Sequence, residues 1–327
     1  MGRTPTLRRP PAGPTEDELA ALGGFGREGL WTVAGRRVRV TNLDKVLVPA
    51  TESAEPPVTK RELIAYYARI APFLLPYLAN RPVNAHRYPD GVHRPGFWHK
   101  EVPDHAPRWL TRWHNTEADP DETQCYAVLD SLPALVWMAN FAGVELHPWT
   151  SALPDVHHPT WALVDIDPGP RTTFDEVLAL ARLYRDALAH LDVAGMPKVT
   201  GQRGVQIWIP VRDGYTFDDT RGWVETVSRV IGRIEPDLVS WEWYRHRRGG
   251  LARLDYTQNA INKTLVAPFS VRPRPGAPVS VPITWDELED PALRPDRWSI
   301  RTVLARVREV GDPLAGLIGR QQELPRL

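Results

Sequence analysis

Asp165-Ile-Asp167 closes the apolar run Trp161–Val164 and is followed at once by Pro168-Gly169. Read as a β-strand, the run sends alternate side chains to the same face, so both carboxylates project together while Ile166 turns to the core. The Pro-Gly pair ends the strand and opens the acids to solvent. Two carboxylates so close repel each other unless cations lie between them, and Mg²⁺ or Mn²⁺ takes oxygen ligands of this kind. A solvated strand edge is the alternative for so short a motif, and the apolar run ahead of it argues against that. A third acid, Asp255 in Arg253-Leu-Asp-Tyr-Thr-Gln-Asn259, also sits in a strand-like segment, and an adjacent strand could set it opposite the pair. Three carboxylates around two cations suit phosphoryl transfer, one metal activating the attacking hydroxyl and the other steadying the leaving pyrophosphate. Lys263 and Arg272 follow in the next stretch and carry the positive charge that a nucleoside triphosphate needs.

The elements that must hold these residues can be read from period and punctuation. Trp31–Val40 reads as a hairpin turning at Ala34-Gly35, and Thr59 caps a helix from Lys60 whose Leu63, Ile64, Tyr67, Ile70 and Leu74 share a face. Pro89-Asp-Gly91 is a turn, and 131–143 is helical. After the acidic strand come a helix over 174–191, strands over 198–200 and 205–211 joined by Gly201-Gln-Arg-Gly204, and a helix over 220–234. The remainder reads as a strand over 250–256, a strand and helix start over 279–288, and a last helix over 300–310. Strands and helices alternate irregularly, which predicts a mixed sheet in an α/β or α+β domain. Residues 1–30, polar and rich in Pro and Gly apart from a helix-like stretch at 16–22, read as a flexible arm, and 321–327 as a tail.

The 327 residues carry no net charge, 42% hydrophobic and 24% charged residues, and no apolar run long enough to span a membrane. Zero net charge by itself argues against a nucleic-acid partner. The charge is unevenly spread: 17 Lys and Arg against 11 Asp and Glu up to His114, then 23 against 29. A basic front and an acidic back fit a DNA-facing part and a carboxylate-bearing part. Cys125 is the only cysteine, which precludes an intrachain disulfide and points to a reducing cytoplasm.

The order of motifs resembles the polymerase domain of bacterial ATP-dependent DNA ligase D, a member of the archaeo-eukaryotic primase superfamily. That family's strand ending D-[LI]-D-P-G corresponds to Asp165–Gly169. Its loop S-G-x-x-G-x-H corresponds to Thr200-Gly-Gln-Arg-Gly-Val-Gln206. Its later D-[WY]-x-Q-N, K-T and A-P-[YF]-S-x-R motifs correspond to Asp255–Asn259, Lys263-Thr264 and Ala267–Arg272. Upstream, Thr41-Asn-Leu-Asp-Lys-Val-Leu47 resembles the family's opening, and the likeness runs from about Trp31 to Arg308. It implies a primase-like fold and Asp165, Asp167 and Asp255 as ligands of two Mn²⁺ or Mg²⁺ ions. It further implies that His147, Thr200, Arg203, Gln206, Gln258, Lys263 and Arg272 surround an NTP or dNTP. Asn42, Lys45 and Lys60 would grip a 5′-phosphate at a gap or broken DNA end, with Phe97 stacking near the template beside Arg87.

Two departures stand out: Gln206 replaces the family's His, and Arg203 stands where Lys is common. An amide still donates a hydrogen bond but carries no charge. The chain ends at Leu327 without a K-x-D-G ligase motif, so sealing a nick is expected to need separate partners such as end-joining proteins and a ligase. The resemblance implies a template-dependent polymerase or primase-polymerase that extends a DNA 3′-OH, with NTPs favoured, in the cytoplasm at the nucleoid. The competing expectation is a non-catalytic scaffold that recognises 5′-phosphorylated ends. Three mutually repelling acids, which a pure binder does not need, favour the enzyme. A P-loop reading of Gly201–Gly204 fails, since the loop lacks Gly-Lys-Ser/Thr and leads into a strand.

Overall fold

The computed structural model describes residues 12–51 and 55–327, and the chain divides into two compact units. The first comprises residues 1–149 with segments 266–279 and 299–308; the second comprises 150–265, 280–298 and 309–327.

The first unit opens with α1 (Glu16–Gly24) and the hairpin of β1 (Gly29–Val33) and β2 (Arg36–Val40), with Ala34 and Gly35 both at positive φ in the turn. β3 (Val46–Val48) pairs with β4 (Val58–Thr59), and α2 (Lys60–Leu78) follows. Thr59 and Glu62 form the capping box that starts α2, each side chain closing on the other's backbone N–H. All five apolar residues predicted for one face of α2 are buried, and so are Tyr66 and Tyr77. The phenols of Tyr66 and Tyr67 donate to the carbonyls of Phe269 and Val144, at 2.7 and 2.6 Å, which lets these polar tips stay inside. The unit's main sheet is antiparallel, with β5 (Pro82–Arg87) at its centre. β5 pairs with β6 (Phe97–His99) and β8 (Cys125–Val128), β7 (Arg112–His114) joins β8, and α3 (Leu132–Asn140) leads into β9 (Gly143–Pro148), which returns to β5.

The second unit starts with the ribbon β10 (Ser151–Ala152) and β11 (Asp155–Pro159). Its five-stranded antiparallel sheet has the order β15-β12-β14-β13-β16, formed by Arg253–Asp255, Trp161–Asp167, Val205–Pro210, Met196–Val199 and Val281–Pro282. Every residue of β14 and the first four of β12 are buried, because α4 (Phe174–His190) and α5 (Phe217–Ile234) pack on these strands. Capping boxes begin both helices, from Thr173 with Glu176 and from Thr216 with Asp219. The described strands pair antiparallel in both units, so the mixed α/β architecture is of the α+β kind.

Three late elements are shorter than their sequence suggests. β15 spans only Arg253–Asp255, since Gly249 and Gly250 ahead of it take positive φ and Tyr256–Gln258 winds into a 3₁₀ turn. The strand within 279–288 is reduced to Val281–Pro282: beyond it Ile283 N still donates to Pro197 O at 3.0 Å, but Pro197 has no N–H to return a second bond. The last helix is Val303–Glu309.

Residues 1–11 of the expected arm lie outside the described residues. The rest of that arm is packed: Leu22 is buried, Trp31 Nε1 donates to Glu18 O at 2.7 Å, and Arg61 donates to Leu22 O and Gly26 O, each at 2.6 Å. The expected tail is also held, with Leu324 buried and Trp223 Nε1 donating to Pro325 O at 3.0 Å. No helix among the described residues is long and apolar enough to cross a membrane.

Candidate active site

In the second unit the acidic strand has the form its spacing predicts. Ile166 is fully buried between two partly accessible aspartates, and β15 sets Asp255 directly opposite Asp165. Gln206 on β14 faces Asp165 from the other side, and Lys198 on β13 faces Gln206. Lys198, Gln206, Asp165 and Asp255 therefore form one cross-strand row with side chains on the same face. Gln206 Nε2 donates to Asp165 Oδ1 at 2.9 Å.

The three acids have different surroundings. Burial pushes the Asp165 carboxyl up to about 7; the Gln206 hydrogen bond opposes this, and the negative charges of Asp255 and Asp167 add to it. Burial alone would raise Asp255 too, but hydrogen bonds from Thr257 and Gln258 and the nearby Arg253 hold it below its ordinary value. Thr257 N and Oγ1 reach Asp255 Oδ1 at 3.0 and 2.6 Å, and Gln258 Nε2 reaches Oδ2 at 2.9 Å. Asp167 is paired with Arg248, whose Nη1 lies 2.7 Å from Oδ2, while the same guanidinium donates to Glu242 O and Trp243 O. Each acid thus has its own local partner. Among the described residues, no three carboxylate, imidazole or thiol groups close on one point in the way a finished two-metal cage would.

Close backbone packing shapes the rim. Thr200 Oγ1 accepts from Gly204 N at 3.1 Å, and Thr200 N donates to Gly204 O, so the loop is folded on its first residue. A Cβ on Gly204 would come within 2.5 Å of Ile166 O, and one on Gly169 within 2.1 Å of Gly250 O; only glycine allows these approaches. Arg203 donates to Gly169 O and so ties the loop to the turn after Asp167. Gln258, expected at the nucleotide, instead holds Asp255, and Lys263 is exposed. Asn259 is buried and bonds both Leu163 N and Leu163 O at 2.8 Å, pairing with β12 where β15 has ended.

The first unit holds the other expected residues. His147 and Arg272 meet at Glu145: Arg272 Nε lies 3.0 Å and His147 Nε2 4.0 Å from Glu145 Oε1, and His86 Nδ1 lies 2.8 Å from Oε2. Burial would raise the Glu145 carboxyl, but His147, His86 and Arg272 together hold it well below the usual range. Trp98, 47% exposed, stacks on His86 with ring centroids 4.5 Å apart. Phe97, equally exposed, pairs across the strands with Arg87, whose guanidinium lies 5.1 Å from its ring and donates to Phe141 O. Asn42 and Lys45 line an open pocket of about 480 Å³ together with Arg27 and Asp44. Lys60 is buried outside that lining, its ammonium suppressed to about 8 by burial and by the charges of Lys45 and Arg87.

Residue reading missed Arg248, Glu145, Lys198 and Arg27. The basic run Arg245–Arg248 was a visible signal for the first. Glu145 and Lys198 act through partners distant in sequence, and nothing in their local pattern marks them.

The antiparallel sheet thus carries two acids on one strand face and a third opposite, an all-oxygen set of the kind hard divalent cations take. A family model described as LigD, primase-polymerase domain, matches residues 59–314. The chain belongs to the LigD primase-polymerase domain family. It is 34% identical over 283 residues to the multifunctional non-homologous end joining protein LigD of Mycolicibacterium smegmatis, covering 86% of this chain and 36% of that protein. It is 27% identical over 290 residues to the bifunctional LigD of Bacillus subtilis, covering 88% of this chain and 45% of that one. The chain thus spans less than half the length of these relatives. Among solved structures it matches the polymerase domain from Mycobacterium tuberculosis ligase D in complex with DNA, at 33% identity and a TM-score of 0.78, covering 88% of this chain and 99% of that one.

Proposed function

We propose that this chain is a cation-dependent nucleotidyltransferase that adds nucleotides, with NTPs preferred, to a DNA 3′-OH at gaps or broken ends. The observation that carries the reading is the cross-strand set of Asp165, Asp167 and Asp255, two acids on one strand face with the third opposite. The donor set fits Mn²⁺ or Mg²⁺: all ligands are oxygens, and Asp165 carries a carboxyl strained by burial and by two like charges, which a cation would relieve. When bound, the ions supply Lewis-acid activation of the 3′-hydroxyl and stabilisation of the leaving pyrophosphate.

This chain's own groups do the rest. Gln206 orients Asp165, Thr257 and Gln258 orient Asp255, and Arg248 pairs with Asp167. To Thr200, Arg203 and Lys263, and separately to the His147–Arg272 pair on Glu145, we assign triphosphate oxygens. Asn42 and Lys45 are assigned to a 5′-phosphate, with Lys60 adding positive charge from outside the pocket lining, and Phe97 with Arg87 to stacking on template bases, which tolerates any sequence. The DNA complex of the similar structure supports a DNA substrate here. End-joining proteins are the proposed partners, and the nucleoid is the proposed place of work.

Primer extension on gapped DNA tests this, with NTPs and dNTPs compared under Mn²⁺ and Mg²⁺. Activity is expected to vanish in Asp165→Ala/Asp167→Ala, and full activity in that variant rejects the acids as metal ligands. A scaffold without catalysis is the second reading, favoured by Gln206 standing where the family carries His. No extension by the wild type under either metal, with tight binding to 5′-phosphorylated gaps, would select it.

A further inference from the structure

The pocket beside Asn42 and Lys45 contains a residue that lies outside both the family-matched range, 59–314, and the Thr41–Leu47 motif. Arg27 follows α1 and reaches the pocket from the segment that precedes the β1–β2 hairpin. Its backbone is fixed: Leu43 N donates to Arg27 O at 2.8 Å, and Arg61 clasps the neighbouring carbonyl of Gly26. The facing loop is equally fixed, through Lys45 N to Asn42 O, Lys60 N to Lys45 O and Arg61 N to Leu43 O, all within 3.0 Å. The pocket is therefore a preorganised cradle.

Its charge balance identifies the ligand class. Asp44 is paired with Arg61 at 3.1 Å, and Lys45 with Asp90 at 3.0 Å. Arg27 has no acidic partner among the described residues, which leaves the cradle with an uncompensated guanidinium. Lys60 lies nearby, its ammonium held down first by burial and then by the positive charges of Lys45 and Arg87. A guanidinium engages two phosphate oxygens at once, where an ammonium acts as a point charge. A terminal phosphomonoester, near two negative charges at neutral pH, matches this site better than the singly charged diester within a strand.

We propose that Arg27 is a specificity-determining residue, selecting a 5′-phosphate over a 5′-hydroxyl at the downstream DNA end. This rests on the phosphate-pocket reading of Asn42 and Lys45. The N-terminal segment around α1 thereby belongs to end recognition.

The test is equilibrium binding by fluorescence polarisation. The probe is gapped duplex DNA labelled on the template strand, with the downstream strand carrying either a 5′-phosphate or a 5′-hydroxyl. Wild type, Arg27→Ala, Arg27→Lys and Lys45→Ala are compared. Because the structural work of Arg27 is done by its carbonyl, Arg27→Ala should melt like the wild type. It should lose about tenfold of the phosphate preference while its affinity for the hydroxyl probe is unchanged, as expected for a lost charged hydrogen bond. Arg27→Lys should recover part of the preference. A preference abolished by Lys45→Ala but untouched by Arg27→Ala overturns the role of Arg27 and leaves the pocket standing. No preference in the wild type overturns the pocket and Arg27 together.

Discussion

Replacing Asp165 by Asn should stabilise the metal-free protein at alkaline pH while abolishing nucleotide transfer. The Asp165 carboxyl is pushed from an ordinary 3.8 up to about 7. Between those values the folded protein holds a proton that the unfolded chain has released, so stability falls as pH rises, and the full penalty is present above about 7. A shift of this size corresponds to at most about 4 kcal/mol, and relaxation of the groups around the carboxylate brings it to about 2. The amide in Asp165→Asn retains the acceptor that Gln206 Nε2 uses at 2.9 Å and removes the charge that Asp255 and Asp167 oppose. Urea unfolding of both proteins in a chelator, from pH 4 to 8.5, measures the difference. It should be near zero at pH 4, grow to about 2 kcal/mol by pH 7 and then level off. A pH-independent difference, or a less stable Asn variant at pH 8, would refute the reasoning. Under the proposed function, activity is held at the expense of stability, as expected where like charges are gathered for a cation.

Three further outcomes follow from other contacts. Glu145→Gln removes the buried countercharge of His86, His147 and Arg272 and should destabilise by about 3 kcal/mol, read by thermal melting, while raising the KM for NTP. Since the Glu145 carboxyl is held low, its contribution is complete above the ordinary carboxylate range and disappears as pH falls below it; the variant should therefore be less acid-sensitive than the wild type. Asn259→Ala leaves both backbone groups of Leu163 unpaired and should cost about 2–3 kcal/mol in chemical denaturation. Gln206→His should lower the KM for NTP several-fold in primer-extension kinetics, and an unchanged or higher KM would separate this position from the triphosphate.

Much of the candidate site was legible because it depends on local periodicity. Two acids with one residue between them at the end of an apolar strand must share a face, whatever the rest of the fold does. The helix starts were equally legible at Thr59, since capping is settled within four residues. The lengths of β15 and the last helix were less so, because local breakers and tertiary pairing decide where an element stops.

The sequence by itself determined the chemistry on offer: three carboxylates, the cations around them, and the strand that aligns Asp165 with Asp167. Only the tertiary structure decided which partner each charge meets. Sheet register put Gln206 and Asp255 on either side of Asp165, packing buried it until its carboxyl rose, and Arg248 came from far along the chain to Asp167. Likewise the segment after α1, read as part of a flexible arm, is tied by backbone bonds to the Asn42 loop, and that places Arg27 in the pocket lined by Asn42 and Lys45. Electrostatic pairing depends on distances and burial, and these are set by contacts between residues far apart in sequence.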